Sequence, residues 1–261
     1  MSPPIGALRS NSAVRRVALA LGAGLMAAVA VVGRQVQAAR RRDYLRFAPD
    51  DELDASTEAS ERPLLLVVIG DSTAVGVGAG SRSKSYPSLL AERVRAHRPV
   101  RLAVLGRPGL RWQHVGALVA DAIAMDPDLV VIGVGGNDAI HMTPLSRVRA
   151  TVGLALDELQ RSRTTVLVVL GPRFDSPAVP HPLRDLIARR CRAVNRAITM
   201  TAGTRGVRVL DTESVIGDAF ARDPVRLYSE DMFHPSAAGY ELWAGAIEDA
   251  VVTSALEVTV P

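Results

Sequence analysis

Five short runs rich in Val, Leu and Ile recur at intervals between residues 64 and 211, and they constrain the fold more than any other feature. They lie at 64–70, 100–106, 129–135, 165–171 and 207–211. Each lacks the apolar/polar alternation of a strand with one wet face, so each reads as a strand buried on both sides. Between them lie segments of helical length and spacing, at 86–97, 145–160 and 183–201, and Asp126-Pro127-Asp128 turns the chain into the third run. Strand–helix alternation of this kind specifies a parallel sheet covered by helices on both faces. The pattern predicts one doubly wound α/β domain over 63–253, with 254–261 as a C-terminal tail. In such sheets ligands bind beyond the carboxyl ends of the strands. The first three runs end in Gly70-Asp71-Ser72, Gly106-Arg107-Pro108-Gly109 and Gly135-Gly136-Asn137-Asp138.

The N-terminal part has a different character. The formal charge of +4 conceals an uneven distribution. Residues 1–42 hold seven arginines and no acid, whereas 43–261 hold 24 basic and 27 acidic side chains. The high pI therefore belongs to the leader, and a nucleic-acid partner is not expected. Residues 17–33 are free of charge and, as a helix, would span about 26 Å, close to the roughly 30 Å of a hydrocarbon core. The segment reads as a membrane anchor. A cleaved signal peptide with Val36-Gln37-Ala38 as its small-residue site, or a buried helix, are the other readings. Arg9, Arg15 and Arg16 favour a cytoplasmic N-terminus, while Arg34 and Arg40 to Arg42 flank the other end equally. The expectation adopted is a domain anchored outside the cytoplasm or secreted. Residues 43–62, acidic and without apolar periodicity, read as a linker. With Cys191 alone, no intrachain disulfide or cysteine-based zinc site is possible, and neither metal nor cofactor is expected.

Ser72 follows directly on the first strand, where a turn through Gly70 can lift its hydroxyl above the sheet. Backbone N–H groups beside it would face a developing oxyanion if a helix starts there. Helix capping by Asp71 or Ser72 is the plainer alternative. The surroundings are not a Gly-x-Ser-x-Gly elbow, because Ala74 occupies the last position. A nucleophilic serine needs a base, and the chain has five histidines. His97 sits among arginines and His181 between two prolines. His114 and His141 follow the second and third strands within reach of a pocket. His234 alone has a carboxylate three residues ahead, Asp231. In a turn that spacing lets Asp231 hold one imidazole nitrogen while the other faces Ser72. Asn137 could donate its amide to an oxyanion, or simply occupy a Gly-Gly-Asn-Asp turn.

Three blocks taken together resemble the SGNH (GDSL-like) hydrolase family. They are Val67-Val68-Ile69-Gly70-Asp71-Ser72, Val131-Ile132-Gly133-Val134-Gly135-Gly136-Asn137-Asp138, and Asp231-Met232-Phe233-His234-Pro235-Ser236-Ala237-Ala238-Gly239-Tyr240. The resemblance implies a flavodoxin-like three-layer α/β/α sandwich with about five strands. It implies Ser72 as nucleophile, His234 as base and Asp231 as its orienting acid. It also implies an oxyanion hole made by the Ser72 N–H, a glycine N–H and the Asn137 side chain. The second block departs from the family's Asn-x-Gly-x-Ser-Gly: here it reads Leu105-Gly106-Arg107-Pro108-Gly109, with Gly109 as the counterpart of the oxyanion glycine. Asp71, Arg107, Arg111, Trp112 and His141 are candidates to line the pocket, the arginines being otherwise ordinary surface residues.

The function so implied is a serine esterase or lipase cleaving a carboxylic ester or thioester of a small molecule, lipid or glycan. An acyltransferase or deacetylase on a glycan would use the same residues. A nucleotide or flavin binder is disfavoured, because Gly76-Val77-Gly78-Ala79-Gly80 has the wrong spacing for Gly-x-Gly-x-x-Gly and the second strand ends without an acid. A binding module that kept the fold and lost its chemistry would not need the Ser, Asn, Asp and His positions all intact.

Overall fold

The computed structural model describes residues 62–171 and 176–257. The leader 1–42, the apolar run 17–33, nearly all of the acidic stretch 43–62 and the last residues of the chain lie outside them. Among the described residues no helix is long and apolar enough to cross a membrane.

The sheet has five parallel strands: β1 (Leu64–Gly70), β2 (Val100–Gly106), β3 (Leu129–Gly133), β4 (Thr165–Val169) and β5 (Arg208–Leu210). Their spatial order is β2-β1-β3-β4-β5. The helices between them are α1 (Ser72–Val75), α2 (Tyr86–Arg95), α3 (Val115–Ala124), α4 (Gly136–Ile140), α5 (Leu145–Arg161) and α6 (Leu183–Gly203). After β5 come α7 (Thr212–Arg222), α8 (Pro224–Leu227) and α9 (Ala237–Glu257). The last helix runs past the domain end expected at 253.

Why the strands read as continuous apolar runs is visible in the packing. Val67, Ile69, Val130, Ile132, Val166 and Val168 project to one face, where they bury against α3, α5 and α6. Their alternate neighbours Leu66, Val68, Val131, Leu167 and Val169 project to the other, against α2, α7 and α9. Every second residue is thus apolar for one layer and every remaining one for the other, which makes the three-layer α/β/α sandwich. Arg93 of α2 ties the second layer to α9 with 3.0 Å ion pairs to Glu241 and Glu248.

The chain leaves β1 for β2 on one side, and β3 lies on the other. A crevice therefore opens above the ends of β1 and β3, the switch point where such sheets bind ligands. Close backbone approach defines it. Gly106 pairs with Gly70, and a Cβ added at Gly106 would lie 2.4 Å from the Gly70 carbonyl oxygen.

Gly106→Ala should therefore destabilise the protein by about 1–3 kcal/mol, the range of overpacking against atoms that cannot move aside. Gly245→Ala in α9, where an added Cβ meets nothing within 4 Å, should instead add roughly 0.5–1 kcal/mol of helix propensity. Urea unfolding of both variants measures the difference, and equal stabilities would contradict the close approach.

Candidate active site

The site begins with Asp71, which caps α1. Its Oδ1 accepts from the Thr73 N–H and the Thr73 hydroxyl, both at 3.0 Å. Capping and chemistry coexist here, because the same turn projects Ser72 out of the helix start. Ser72 Oγ lies 3.0 Å from His234 Nε2, and His234 Nδ1 lies 2.7 Å from Asp231 Oδ2. The structure thus brings together Ser72, His234 and Asp231, although 162 positions separate the serine from the histidine.

The loop holding Asp231 and His234 folds around the carboxylate. Asp231 Oδ1 accepts from the Phe233 N–H, the His234 N–H and the Ser229 hydroxyl, each at 2.8 Å. Burial pushes this carboxyl upward, but the His234 imidazole and the two backbone N–H groups outweigh it. Asp231 is held well below the usual carboxylate range. The imidazole is 4% exposed, and the Phe233 ring meets it edge-on at 5.0 Å between centroids.

Asn137 sits in the first turn of α4 and donates from Nδ2 to Asp71 Oδ2 at 3.0 Å. An amide has two such N–H groups, and one of them fixes the side chain in the wall of the crevice. Burial raises the pKa of Asp71 despite the hydrogen bonds from Thr73, the nearby His234 and Asn137.

The remaining sequence candidates are placed elsewhere. A cavity of about 410 Å³ has Asp71, Ser72, Asn137 and His234 in its wall. Among the described residues that line it, Gly109, Arg107, Arg111, Trp112 and His141 do not appear. Gly109 and Arg107 lie on the exposed turn after β2, where Gly109 has φ +79°. Arg111 is half-buried beyond that turn. Trp112 is a core residue, 1% exposed, whose indole N–H donates to the Val134 carbonyl at 2.9 Å. Its size and apolar neighbours draw it inward, under the turn rather than over a ligand. His141 is exposed and caps α4, with Nδ1 2.8 Å from the Asn137 carbonyl.

Two residues that sequence reasoning passed over contribute here. Ser229 bonds Asp231, and the buried Asp138 accepts the Trp112 backbone N–H at 3.0 Å. Asp138 thereby ties the turn carrying Gly109 to the helix carrying Asn137. Its place next to Asn137 was the available signal. For Ser229, two positions before Asp231, no local pattern pointed to the bond. Among the described residues no group of three or more His, Cys, Asp or Glu is arranged to hold a metal ion.

Residues 68–242 match the GDSL-like Lipase/Acylhydrolase family. The chain belongs to that family. It is 31% identical over 209 residues to a GDSL-like esterase of Mycobacterium tuberculosis, the match covering 75% of this chain and 65% of that relative's length. Its fold is similar to the lipase/acylhydrolase from Enterococcus faecalis, with a TM-score of 0.61 and 22% identity over 72% of this chain and 95% of that one. It is also similar to a catalytic mutant of an acetylxylan esterase from Geobacillus stearothermophilus, with a TM-score of 0.58 and 21% identity over 70% and 92% of the two chains.

Because the Asp231 pKa is lower in the folded than in the unfolded chain, its ionised form stabilises the fold. That contribution is complete above the ordinary carboxylate range and is lost as pH falls through it toward the folded value. Asp231→Asn should accordingly give a shallower loss of stability on acidification than the wild type. Urea midpoints measured between pH 2 and 6 test this, and parallel curves for the two proteins would argue against an ionised, hydrogen-bonded Asp231.

Proposed function

We propose that the protein is a serine esterase working through an acyl-Ser72 intermediate. Ser72 Oγ attacks the ester carbonyl and passes its proton to His234 Nε2. Asp231, ionised across the working pH range, fixes the imidazole tautomer and stabilises the imidazolium. The oxyanion is held by the Ser72 N–H and the second N–H of the Asn137 amide, without the Gly109 N–H that the family pattern would supply. His234 then gives its proton to the departing alcohol. Water, activated by the same imidazole, attacks the acyl carbonyl and frees the acid and Ser72.

The observation that carries this reading is the continuous chain Ser72–His234–Asp231, at 3.0 and 2.7 Å, with Ser72 and His234 in the wall of a cavity. The esterase from Mycobacterium tuberculosis and the acetylxylan esterase support an ester of a small molecule or glycan as substrate. With residues 17–33 as anchor or signal, the catalytic domain acts outside the cytoplasm, attached to the membrane or secreted.

A fluorophosphonate probe should label the wild type at Ser72 and leave Ser72→Ala unlabelled, with loss of p-nitrophenyl acetate hydrolysis and an unchanged circular dichroism spectrum. Labelling of Ser72→Ala at the wild-type rate would remove Ser72 from the mechanism.

Asn137→Ala should lower kcat by about 10²–10³ with a smaller change in KM, since an oxyanion donor acts mainly in the transition state. A change confined to KM would make Asn137 a ground-state binding residue instead.

A further inference from the structure

The two helical layers of the sandwich carry opposite charge. Helices α3, α5 and α6, on one face of the sheet, hold eight basic and four acidic residues. Helices α2, α7 and α9, on the other, hold three basic and seven acidic. The basic excess lies on the outer surface of α5 and α6, which pack side by side. Val148, Val152, Leu156, Ile187, Val194 and Ile198 turn inward to the core. That leaves Arg147 and Arg149 of α5, and Arg189, Arg192 and Arg196 of α6, exposed on the outside. The acids among them are few and mostly engaged. Asp157 pairs with Arg205 at 2.6 Å, and Asp185 with His181 at 2.9 Å.

Exposed apolar side chains share this basic layer. Of the eight large ones among the described residues, five belong to it: Ile140 and Met142 at the end of α4, Leu154 on α5, and Leu186 and Met200 on α6. Leu154, 70% exposed, follows Arg147 by two helical turns, and Met200, 64% exposed, follows Arg196 by one. Among the described residues of α2, α7 and α9, only Val215 is comparably exposed. Single exposed aliphatic residues are ordinary, but here they sit among cations on one face. Cations that meet lipid phosphates, with aliphatic tips that enter the acyl boundary, are what a membrane surface recognises. A single-stranded nucleic acid would call for stacking aromatics, and α4, α5 and α6 contain none.

We propose that the outer face of α5 and α6 is a docking surface for an anionic lipid bilayer. Each basic side chain close to such a surface strengthens partition by about fivefold, and this face presents five arginines. The acidic layer on the other side of the sheet is repelled by the same surface, so the charge asymmetry orients the domain as well as attracting it. Ile140 and Arg184 line the cavity that holds Ser72 and His234, and they stand where α4 ends and α6 begins. Docking therefore brings that rim of the cavity to the lipid surface. The surface needs neither the serine-esterase chemistry nor insertion of residues 17–33 into the membrane.

The test places an NBD fluorophore on one introduced cysteine of the full-length chain. Cys191 stays in place, because burial pushes its thiol up to about 12 and leaves it unreactive. Leu154→Cys and Met200→Cys report on the proposed face and Val215→Cys on the acidic layer, all at exposed positions. Vesicles are phosphatidylcholine alone or an equal mixture with phosphatidylglycerol, each carrying a doxyl-labelled lipid as quencher. With phosphatidylglycerol, the labels at 154 and 200 should be quenched and the label at 215 should not. Quenching should disappear in phosphatidylcholine alone and at high salt. It should also disappear in Arg189→Glu/Arg192→Glu/Arg196→Glu, whose three reversals weaken docking by at least about a hundredfold. Equal quenching at 154 and 215, or quenching that survives the reversals, would overturn the proposal. So would a response of the 154 label to duplex DNA but not to vesicles, which would assign the face to a nucleic acid. Labels unquenched on vesicles that still carry the chain in flotation would refute the docking face and leave a membrane anchor standing. A chain that floats only with charged vesicles, quenched at 154 and 200, would remove the anchor and support the docking face.

Discussion

The Asp231 carboxylate is the fixed point on which the site depends. A buried carboxylate is costly unless its oxygens are satisfied, and here the cost is offset by wrapping the loop around it. Oδ1 takes two backbone N–H groups and the Ser229 hydroxyl, while Oδ2 takes the imidazole. Those bonds demand a tight loop, and the backbone supplies it: Ser229 N–H donates to the His234 carbonyl at 2.8 Å, and Tyr228 bridges to Pro235. Once Asp231 is placed, the direction of the His234 ring follows.

That loop must still meet a serine on the other side of the chain. The meeting is made by contacts outside the reacting groups. Gly78 has φ +91°, and a Cβ there would lie 2.6 Å from the Pro235 carbonyl oxygen and 2.9 Å from Ser229 Oγ. Only a bare backbone lets the segment after α1 lie against the histidine loop. The buried Tyr240 of α9 donates its hydroxyl to the Val77 carbonyl at 2.7 Å and locks the same junction. On the opposite flank Asn137 is held by Asp71, and the turn after β2 by Asp138. The two aspartates flanking the reaction differ in their surroundings. Hydrogen bonds dominate at Asp231 and hold its pKa down, while desolvation dominates at Asp71 and raises it. A charge is kept on the carboxylate against the His234 imidazole, and is disfavoured on the one against the Asn137 amide.

How much of this the sequence disclosed follows from how local each cause is. The strands 64–70 and 100–106 are found at the residues their apolar runs predict, because burial on both faces leaves an unbroken signature. The third and fourth runs were read two residues too long: β3 stops at Gly133 and β4 at Val169. There the chain leaves the ladder to form the crevice, while its composition stays apolar. The Asp231–His234 pairing was legible because it is a three-residue spacing within one loop. The place of Trp112 was not: whether a large side chain after a strand turns into the core or over a ligand depends on partners such as Val134 and Asp138, more than 20 residues away. Helices α7 and α8 went unread for the same reason, their apolar face being shared between the core and the cavity.

The reacting groups and helix α7 rest on different supports. Ser72 and Asn137 stand just beyond strand ends, and Asp231 and His234 on a loop closed by its own carboxylate. Part of the cavity wall, by contrast, comes from α7, in the connection between β5 and the histidine loop. Its ends are anchored independently: Thr212 bonds the Leu170 carbonyl at 2.8 Å, and Leu227, just before the loop, is buried against the core. Between those anchors a side chain that faces the cavity can change in size without passing strain to Asp231 or His234. Helix α7 and the Asp231–His234 loop are therefore held in place by mechanically separate contacts.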